Sequence, residues 1–255
     1  MRSPDLDRAF LGTPLAHRGL HDRARGVIEN SRAAVRAAVD AGYGIEIDIQ
    51  RAGCGTPMVF HDSALRRLVG RSGMVAEHDA AALGAMELSG GGERIPTLAE
   101  ILRLVDGRAP LLIEVKDADA ELSEGDGVLE ARVAEAVAGY AGPVALMSFN
   151  PHSVAALAEA APDVARGLTT CDFSGADWPL PDYRRAELAG ISDFDRVRAS
   201  FVSHDRKDLD SPAVAGLKAR GVPVLCWTVR SAAQEAAARR VADNITFEGY
   251  APGIG

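Results

Sequence analysis

Carboxylates alternate with isoleucines in the stretch GIEIDIQ, residues 44–50, so that Glu46 and Asp48 share one face of a strand about 6.6 Å apart. A second stretch, LIEVK, repeats the pattern with Glu114 and Lys116. Three converging carboxylates repel one another unless they take up protons or bind a cation. Oxygen ligands favour Mg²⁺ or Ca²⁺ over Zn²⁺. A solvated edge or plain ion pairs would explain one such strand, but two matched strands predict one divalent cation.

Two histidines and an arginine follow apolar runs in the first half of the chain. LAHRG carries His17 and Arg18, and MVFHD carries His61. Imidazole can act as general acid or base near neutral pH, and a guanidinium group can bind phosphate through two parallel hydrogen bonds. Ser148 and Trp227, at the ends of later predicted strands, are expected to line the same pocket. The remaining histidines are interpreted as surface or core residues: His21, His78, His152 and His204.

These residues are positioned by short apolar runs that alternate with Ala-rich amphipathic segments, a pattern typical of βα units and a parallel sheet. Eight strands in 255 residues fit a (β/α)₈ TIM barrel, an α/β fold, better than a doubly wound open sheet. The predicted strands are 14–18, 43–49, 111–116, 144–148, 164–168, 201–203, 222–228 and 244–247. The predicted helices are 31–41, 98–105, 127–140, 151–160, 182–189, 212–220 and 232–239.

Two places depart from this repeat. Residues 51–96 are rich in glycine and lack a long helical pattern, so they are interpreted as a small insertion after the second strand. After the eighth strand the sequence reads FEGYAPGIG, which leaves no room for a normal final helix. The sequence therefore predicts a single barrel domain over residues 1–255 with a truncated final helix.

Composition excludes several classes of protein. A formal net charge of −8 argues against an extended nucleic-acid interface, which needs a basic face. The chain has no signal-peptide pattern and no run of about 18 apolar residues, so a cytoplasmic protein without a transmembrane segment is expected. Three dispersed cysteines fit a reducing compartment. There is no GxSxG, GxxxxGK[ST] or GxGxxG motif, which weighs against serine hydrolases, P-loop enzymes and dinucleotide dehydrogenases.

The motifs resemble those of the glycerophosphodiester phosphodiesterase family. Their order and spacing in the first half of the chain are specific, although each motif alone is weak, and the second half agrees more loosely. The matching stretches are HRG (17–19), EN (29–30), EID (46–48), HD (61–62), IPTLAE (95–100), IEVK (113–116), SFNP (148–151), SHD (203–205) and CWTV (226–229).

The resemblance implies a barrel with an insertion after the second strand, and hydrolysis of small-molecule glycerophosphodiesters to sn-glycerol 3-phosphate and an alcohol. It implies one divalent cation, Mg²⁺ or Ca²⁺. By position it assigns acid and base catalysis to His17 and His61, and phosphate binding to Arg18 and Lys116. It assigns metal binding to Glu46, Asp48 and Glu114. The EN element, Glu29 and Asn30, is given a place in the pocket.

The chain departs from the family pattern after the last strand. The family often has Thr-Asn or Thr-Asp there and then a closing helix, whereas this chain reads NITFE at 244–248. That departure leaves the leaving alcohol open, as the sequence also leaves open the oligomeric state, the nucleophile and which histidine is the base. The alternatives are a lysophospholipase-D-like or phosphoinositide-lyase-like enzyme and a non-catalytic glycerol-phosphate binding protein.

Overall fold

The strands form one sheet in a computed structural model that describes residues 4–116, 121–175 and 178–254. Eight of the nine strands in these ranges are parallel, and the first strand pairs with both the second and the last, which closes the barrel. In chain order they are β1 (Leu15–Ala16), β2 (Gly44–Arg51), β3 (Pro57–Val59), β4 (Leu111–Val115), β5 (Val144–Ser148), β6 (Ala165–Thr170), β7 (Phe201–Asp205), β8 (Val224–Val229) and β9 (Asn244–Phe247).

Every predicted strand is present, with ends that differ by a few residues. The strand that was not predicted is β3, which lies in the insertion and pairs antiparallel with β2. Three residues are too few to show an alternating pattern. The barrel itself is the predicted fold.

Helices cover the outside of the barrel. Seven of them correspond to the predicted helices, and the three that were not predicted have only four or five residues. No helix within the described ranges is long and apolar enough to cross a membrane. The helices are α1 (Ala9–Gly12), α2 (Arg32–Asp40), α3 (Arg66–Val69), α4 (Ala80–Gly84), α5 (Leu98–Val105), α6 (Val128–Val137), α7 (Pro151–Ala160), α8 (Asp182–Ala189), α9 (Pro212–Ala219) and α10 (Ala232–Ala238).

Polar side chains begin the helices that follow the site strands. Ser31 accepts a hydrogen bond from the Ala34 backbone and caps α2. Thr97 and Glu100 form a reciprocal capping box at α5. Such caps satisfy backbone donors that a helix leaves unpaired at its first turn. The IPTLAE motif is therefore a helix start, and it fixes the point where the insertion rejoins the barrel.

The alternation in β2 divides the strand between two environments. Ile45, Ile47 and Ile49 have no exposed surface and belong to the apolar layer between the sheet and the helices. Each buried side chain of this size stabilises the fold by about 1.5–3 kcal/mol. Glu46 and Asp48 point the other way, into the barrel, where they line a cavity. The division predicted from GIEIDIQ is the one observed.

The lower half of the barrel interior is packed with apolar side chains. Leu15, Leu112 and Phe201 lie near the starts of their strands and belong to one buried cluster. Gly167 leaves room for Phe201, because a Cβ there would lie 2.4 Å from the ring. Because the described side chains fill the bottom of the barrel interior, the open space of that interior lies toward the carboxyl ends of the strands, where active sites of such barrels lie.

No helix follows β9 within residues 248–254, as predicted. This segment instead runs back along the barrel, and the Tyr43 hydroxyl donates a hydrogen bond of 2.8 Å to the Pro252 carbonyl. The aromatic ring of Tyr43 also packs against Phe247, with ring centroids 4.7 Å apart. These contacts hold the end of β9 against the start of β2.

Candidate active site

A cavity of about 180 Å³ opens at the carboxyl ends of the strands. Its wall includes Trp227 and every residue predicted for catalysis, phosphate binding or metal binding. These residues come from β2, β4, β8 and the segments after β1, β3 and β4, so the barrel brings together positions 17 to 227. The predicted residues in the wall are His17, Arg18, Glu46, Asp48, His61, Glu114 and Lys116.

Three buried carboxylates form the floor of this cavity. Glu46, Asp48 and Glu114 each offer one oxygen, and these oxygens lie within 4.8 Å of one another. Asp48 and Glu114 are register partners on β2 and β4. Burial raises the pKa of Glu46 well above its usual range, and the charges of Asp48 and Glu114 raise it further. A cluster this crowded with negative charge fits a divalent cation with oxygen ligands.

Lys116 provides one positive charge to this cluster. Its Nζ lies 2.8 Å from Asp48 Oδ1 and also hydrogen-bonds Glu114 Oε1. Burial would lower the pKa of Lys116, but the charges of Asp48 and Glu114 outweigh it and raise that pKa. One ammonium group does not balance three carboxylates, so the donor set retains the excess negative charge that a metal ion neutralises.

Asn30 fixes the orientation of Asp48 from behind the cavity wall. Its Nδ2 donates to Asp48 Oδ2 at 2.8 Å, and its Oδ1 accepts from the Asp48 backbone at 3.2 Å. Asn30 adopts the left-handed backbone region with a φ of 57°, which asparagine tolerates better than most residues. The resemblance gives Asn30 a place in the pocket, and in the structure it lies behind the cavity wall and orients Asp48, a candidate metal ligand.

Arg18 is oriented by two carboxylates. Its backbone donates to Glu46 Oε2 at 3.0 Å, and its Nη1 donates to Glu29 Oε1 at 2.7 Å. The buried Nε lies 3.4 Å from Asp48 Oδ2 and has no hydrogen-bond partner among the described residues. The guanidinium group of Arg18 thus lies between the carboxylate cluster and Glu29 in the cavity wall, where such a group can bind an anionic oxygen.

His17 is held by a carboxylate from the opposite end of the chain. Its Nδ1 donates to Glu248 Oε2 at 2.6 Å, and Glu248 Oε1 accepts from Arg230 Nε at 2.6 Å. The hydrogen bond from His17 is the main reason that the pKa of Glu248 is lowered. Burial lowers the pKa of His17 itself. With Nδ1 bonded to a carboxylate, Nε2 of His17 is the atom left for chemistry.

His61 has the same arrangement with its chain neighbour. Its Nδ1 donates to Asp62 Oδ1 at 2.7 Å, and its backbone carbonyl accepts a hydrogen bond of 2.9 Å from Gln50 Nε2. Hydrogen bonds from His61 and Arg67 outweigh burial and lower the pKa of Asp62. The site therefore has two histidine–carboxylate pairs.

Three of the predicted pocket residues lie outside the cavity wall. Glu29 and Asn30 support Arg18 and Asp48 from behind. Ser148 is fully buried and donates its hydroxyl hydrogen bond to the Val115 carbonyl at 2.7 Å. Trp227 does line the cavity, with its Nε1 bonded to the Ser203 carbonyl at 3.0 Å.

Sequence reasoning did not identify several residues that the structure places at the site. Glu248 and Arg67 have no local motif that marks them. Met147 could have been found by parity, since it shares the inward side of β5 with Ala145, whereas Ser148 is one step out of phase. Arg230 and Thr246 in the cavity wall were not foreseen either, and Phe149 and Thr228 complete the wall.

Comparisons with known proteins show which family the sequence and the fold resemble. The chain is 30% identical over 164 residues to the glycerophosphodiester phosphodiesterase of Caldanaerobacter subterraneus subsp. tengcongensis, covering 60% of this chain and 65% of that protein. The fold is shared with an Oleispira antarctica phosphodiesterase solved in complex with the product sn-glycerol-3-phosphate, at 22% identity, a TM-score of 0.76 and 94% coverage of both chains.

The fold is also shared with a glycerophosphodiester phosphodiesterase from Parabacteroides distasonis, at 20% identity and a TM-score of 0.73, with 97% of this chain and 94% of the other covered. The sequence pattern of the glycerophosphoryl diester phosphodiesterase family matches residues 17–244, which include all seven predicted catalytic, phosphate-binding and metal-binding residues. The chain therefore belongs to the glycerophosphoryl diester phosphodiesterase family.

Proposed function

We propose that the protein hydrolyses glycerophosphodiesters to sn-glycerol 3-phosphate and an alcohol, with one divalent cation and two histidines that act as acid and base. The observation that carries this proposal is the convergence, at one cavity, of three buried carboxylates, two histidine–carboxylate pairs and an arginine. Each part has a separate task in cleaving a phosphodiester bond.

The cations of the site account for phosphate binding. Arg18 and Lys116 would hold the phosphoryl oxygens and stabilise the negative charge that grows on them in the transition state. A divalent cation bound by Glu46, Asp48 and Glu114 would supply further positive charge at the same oxygens. Preorganised charge of this kind is usually the largest single contribution to catalysis.

The two histidines account for proton transfer. One of His17 and His61 would remove a proton from the nucleophile, which is water or the substrate's own glycerol hydroxyl, and the other would donate a proton to the departing alkoxide. Glu248 and Asp62 each hold Nδ1, so each ring presents Nε2 to the substrate. Proton removal and proton donation would thus each be carried out by an imidazole ring whose orientation is fixed before the substrate binds.

Turnover of glycerophosphodiesters with defined cations tests the proposal. The protein is treated with a chelator and assayed on glycerophosphocholine and related diesters after addition of Mg²⁺ or Ca²⁺. We expect activity to disappear with the chelator, to return with one of these cations, and to be lost in His17→Ala. His78→Gln, in the insertion but outside the cavity wall, is the matched control. Turnover that ignores the chelator contradicts the metal-dependent mechanism, and binding of sn-glycerol 3-phosphate without turnover favours a binding protein.

A further inference from the structure

Arg67 lies on α3 of the insertion and does not line the cavity. It hydrogen-bonds two carboxylates that lie behind the cavity wall, those of Asp62 and Glu29. Its Nε and Nη2 donate to Asp62 Oδ2 and Oδ1 at 2.6 and 2.7 Å. Its Nη1 and Nη2 donate to Glu29 Oε2 and Oε1 at 2.7 and 2.8 Å. The guanidinium group therefore makes two bidentate pairs at once, a geometry that a lysine ammonium group cannot reproduce.

Each of these carboxylates has a second partner that lines the cavity. Glu29 Oε1 also accepts from Arg18 Nη1 at 2.7 Å, and Asp62 Oδ1 also accepts from His61 Nδ1 at 2.7 Å. The contacts form a continuous series from Arg18 through Glu29, Arg67 and Asp62 to His61. Arg67 is its centre, because it is the residue that both carboxylates share.

Arg67 supplies positive charge to both carboxylates of the series. Burial would raise the pKa of Glu29, but hydrogen bonds from Arg67 and Arg18 outweigh it and bring that pKa to about 2. Asp62 is likewise kept ionised by His61 and Arg67. Without the guanidinium group of Arg67, two neighbouring carboxylates would compete for Arg18 and His61 and draw both side chains away from the cavity.

We propose that Arg67 is a positioning residue that holds Arg18 and His61 at their places in the reaction, so that the insertion takes part in catalysis without contacting the substrate. This inference rests on the proposed function. A displacement of about 1 Å in a reacting group can cost about 10²-fold in rate. Loss of such supporting hydrogen bonds around a metal site typically costs about 10- to 100-fold.

The test compares Arg67→Met with Arg66→Met, which removes the neighbouring arginine of the same helix. For Arg67→Met we expect kcat on glycerophosphocholine to fall by about 10- to 100-fold, with a smaller change in KM. We also expect weaker binding of sn-glycerol 3-phosphate by calorimetry, because Arg18 is no longer fixed. Arg66→Met should match the wild-type protein in kcat and in affinity, and both variants should keep the wild-type circular dichroism spectrum.

Two further variants separate positioning from a general structural role. Arg67→Lys keeps the charge and should recover part of the kcat that Arg67→Met loses. The double variant Arg67→Met/Asp62→Asn should lose about as much as the worse single variant, since both changes break one series of contacts. If Arg67→Met fails to fold, Arg67→Lys provides the same comparison with Arg66→Met.

The outcomes are distinct from those of the proposed function. Turnover by the wild-type protein and by Arg66→Met reports on the proposed function alone. The inference is overturned if Arg67→Met equals Arg66→Met in both kcat and product affinity, or if the two losses in the double variant simply add. Product affinity remains a test of the link through Glu29 even for a protein that does not turn over.

Discussion

The two histidines of the site are held by similar carboxylate contacts but belong to different parts of the molecule. His17 follows β1 and its partner Glu248 follows β9, so this pair lies at the seam where the barrel closes. His61 and Asp62 lie in the insertion after β3. The His17 side chain is 14% exposed and that of His61 is 31% exposed. The barrel thus supplies one half of the proposed acid–base machinery, and the insertion supplies the other half.

Among the changes that test this comparison, replacing either histidine should have the largest effect on kcat. We expect His17→Ala and His61→Ala each to reduce kcat by about 10²–10⁴-fold, because each removes one proton transfer. Assays with an alkyl diester and with a nitrophenyl diester distinguish the two, since a nitrophenolate leaves without a proton donor. The variant that recovers activity on the nitrophenyl diester lacks the acid. Full activity of either variant on the alkyl diester would contradict its role.

Replacing the carboxylate partners should have a smaller effect. Glu248→Gln and Asp62→Asn keep the size of each side chain but remove its charge, and we expect losses of about 10- to 100-fold in kcat. The two losses should appear without loss of metal affinity, which calorimetry with Mg²⁺ or Ca²⁺ measures. A partner whose replacement leaves kcat unchanged is not needed to orient its histidine.

The smallest expected effect is on stability. Burial lowers the pKa of His17 in the folded protein, so the unfolded chain binds a proton more readily. The free energy of unfolding should therefore fall as pH drops through about 6.5, by up to about 1.4 kcal/mol for each unit of pKa difference. Urea unfolding of the metal-free protein at several pH values measures this dependence. In His17→Gln the free energy of unfolding should change less steeply with pH than in the wild-type protein. An unchanged pH dependence of the free energy of unfolding would contradict the shifted pKa of His17.

His204 provides an internal reference for this measurement. It is fully buried on β7, away from the cavity wall, and its Nδ1 is 2.7 Å from the Thr170 hydroxyl oxygen. Burial lowers its pKa as well. His204→Gln should also flatten the pH dependence of stability, but it should leave the pH dependence of turnover unchanged.

The floor of the site was predictable from the sequence because its pattern is local. Alternation over a single strand distinguishes Glu46 and Asp48 from the isoleucines, and the same parity applies to Glu114. Partners that are neighbours in the sequence can also be found in this way, because a single motif contains both His61 and Asp62. A place at the end of a strand is not enough to predict a cavity residue. Ser148 has such a place, but its side chain faces away from the cavity.

The supporting contacts were not predictable in this way. Glu248 is 231 residues from His17, and only the pairing of β1 with β9 brings them together. Arg67 lies on a helix of four residues, too short for a periodic pattern, and its role depends on two carboxylates from separate segments. Residues that act through other side chains leave no pattern of spacing in the chain.

The seam between β1 and β9 also links the order of folding to the onset of activity. A chain synthesised from its N-terminus contains His17 long before Glu248, so their hydrogen bond is completed only when the last strand docks on the first. A partly folded barrel with an open seam would keep most of its helices and strands but not this pair. In refolding experiments, far-ultraviolet circular dichroism should therefore recover ahead of turnover, which makes turnover a reporter of barrel closure.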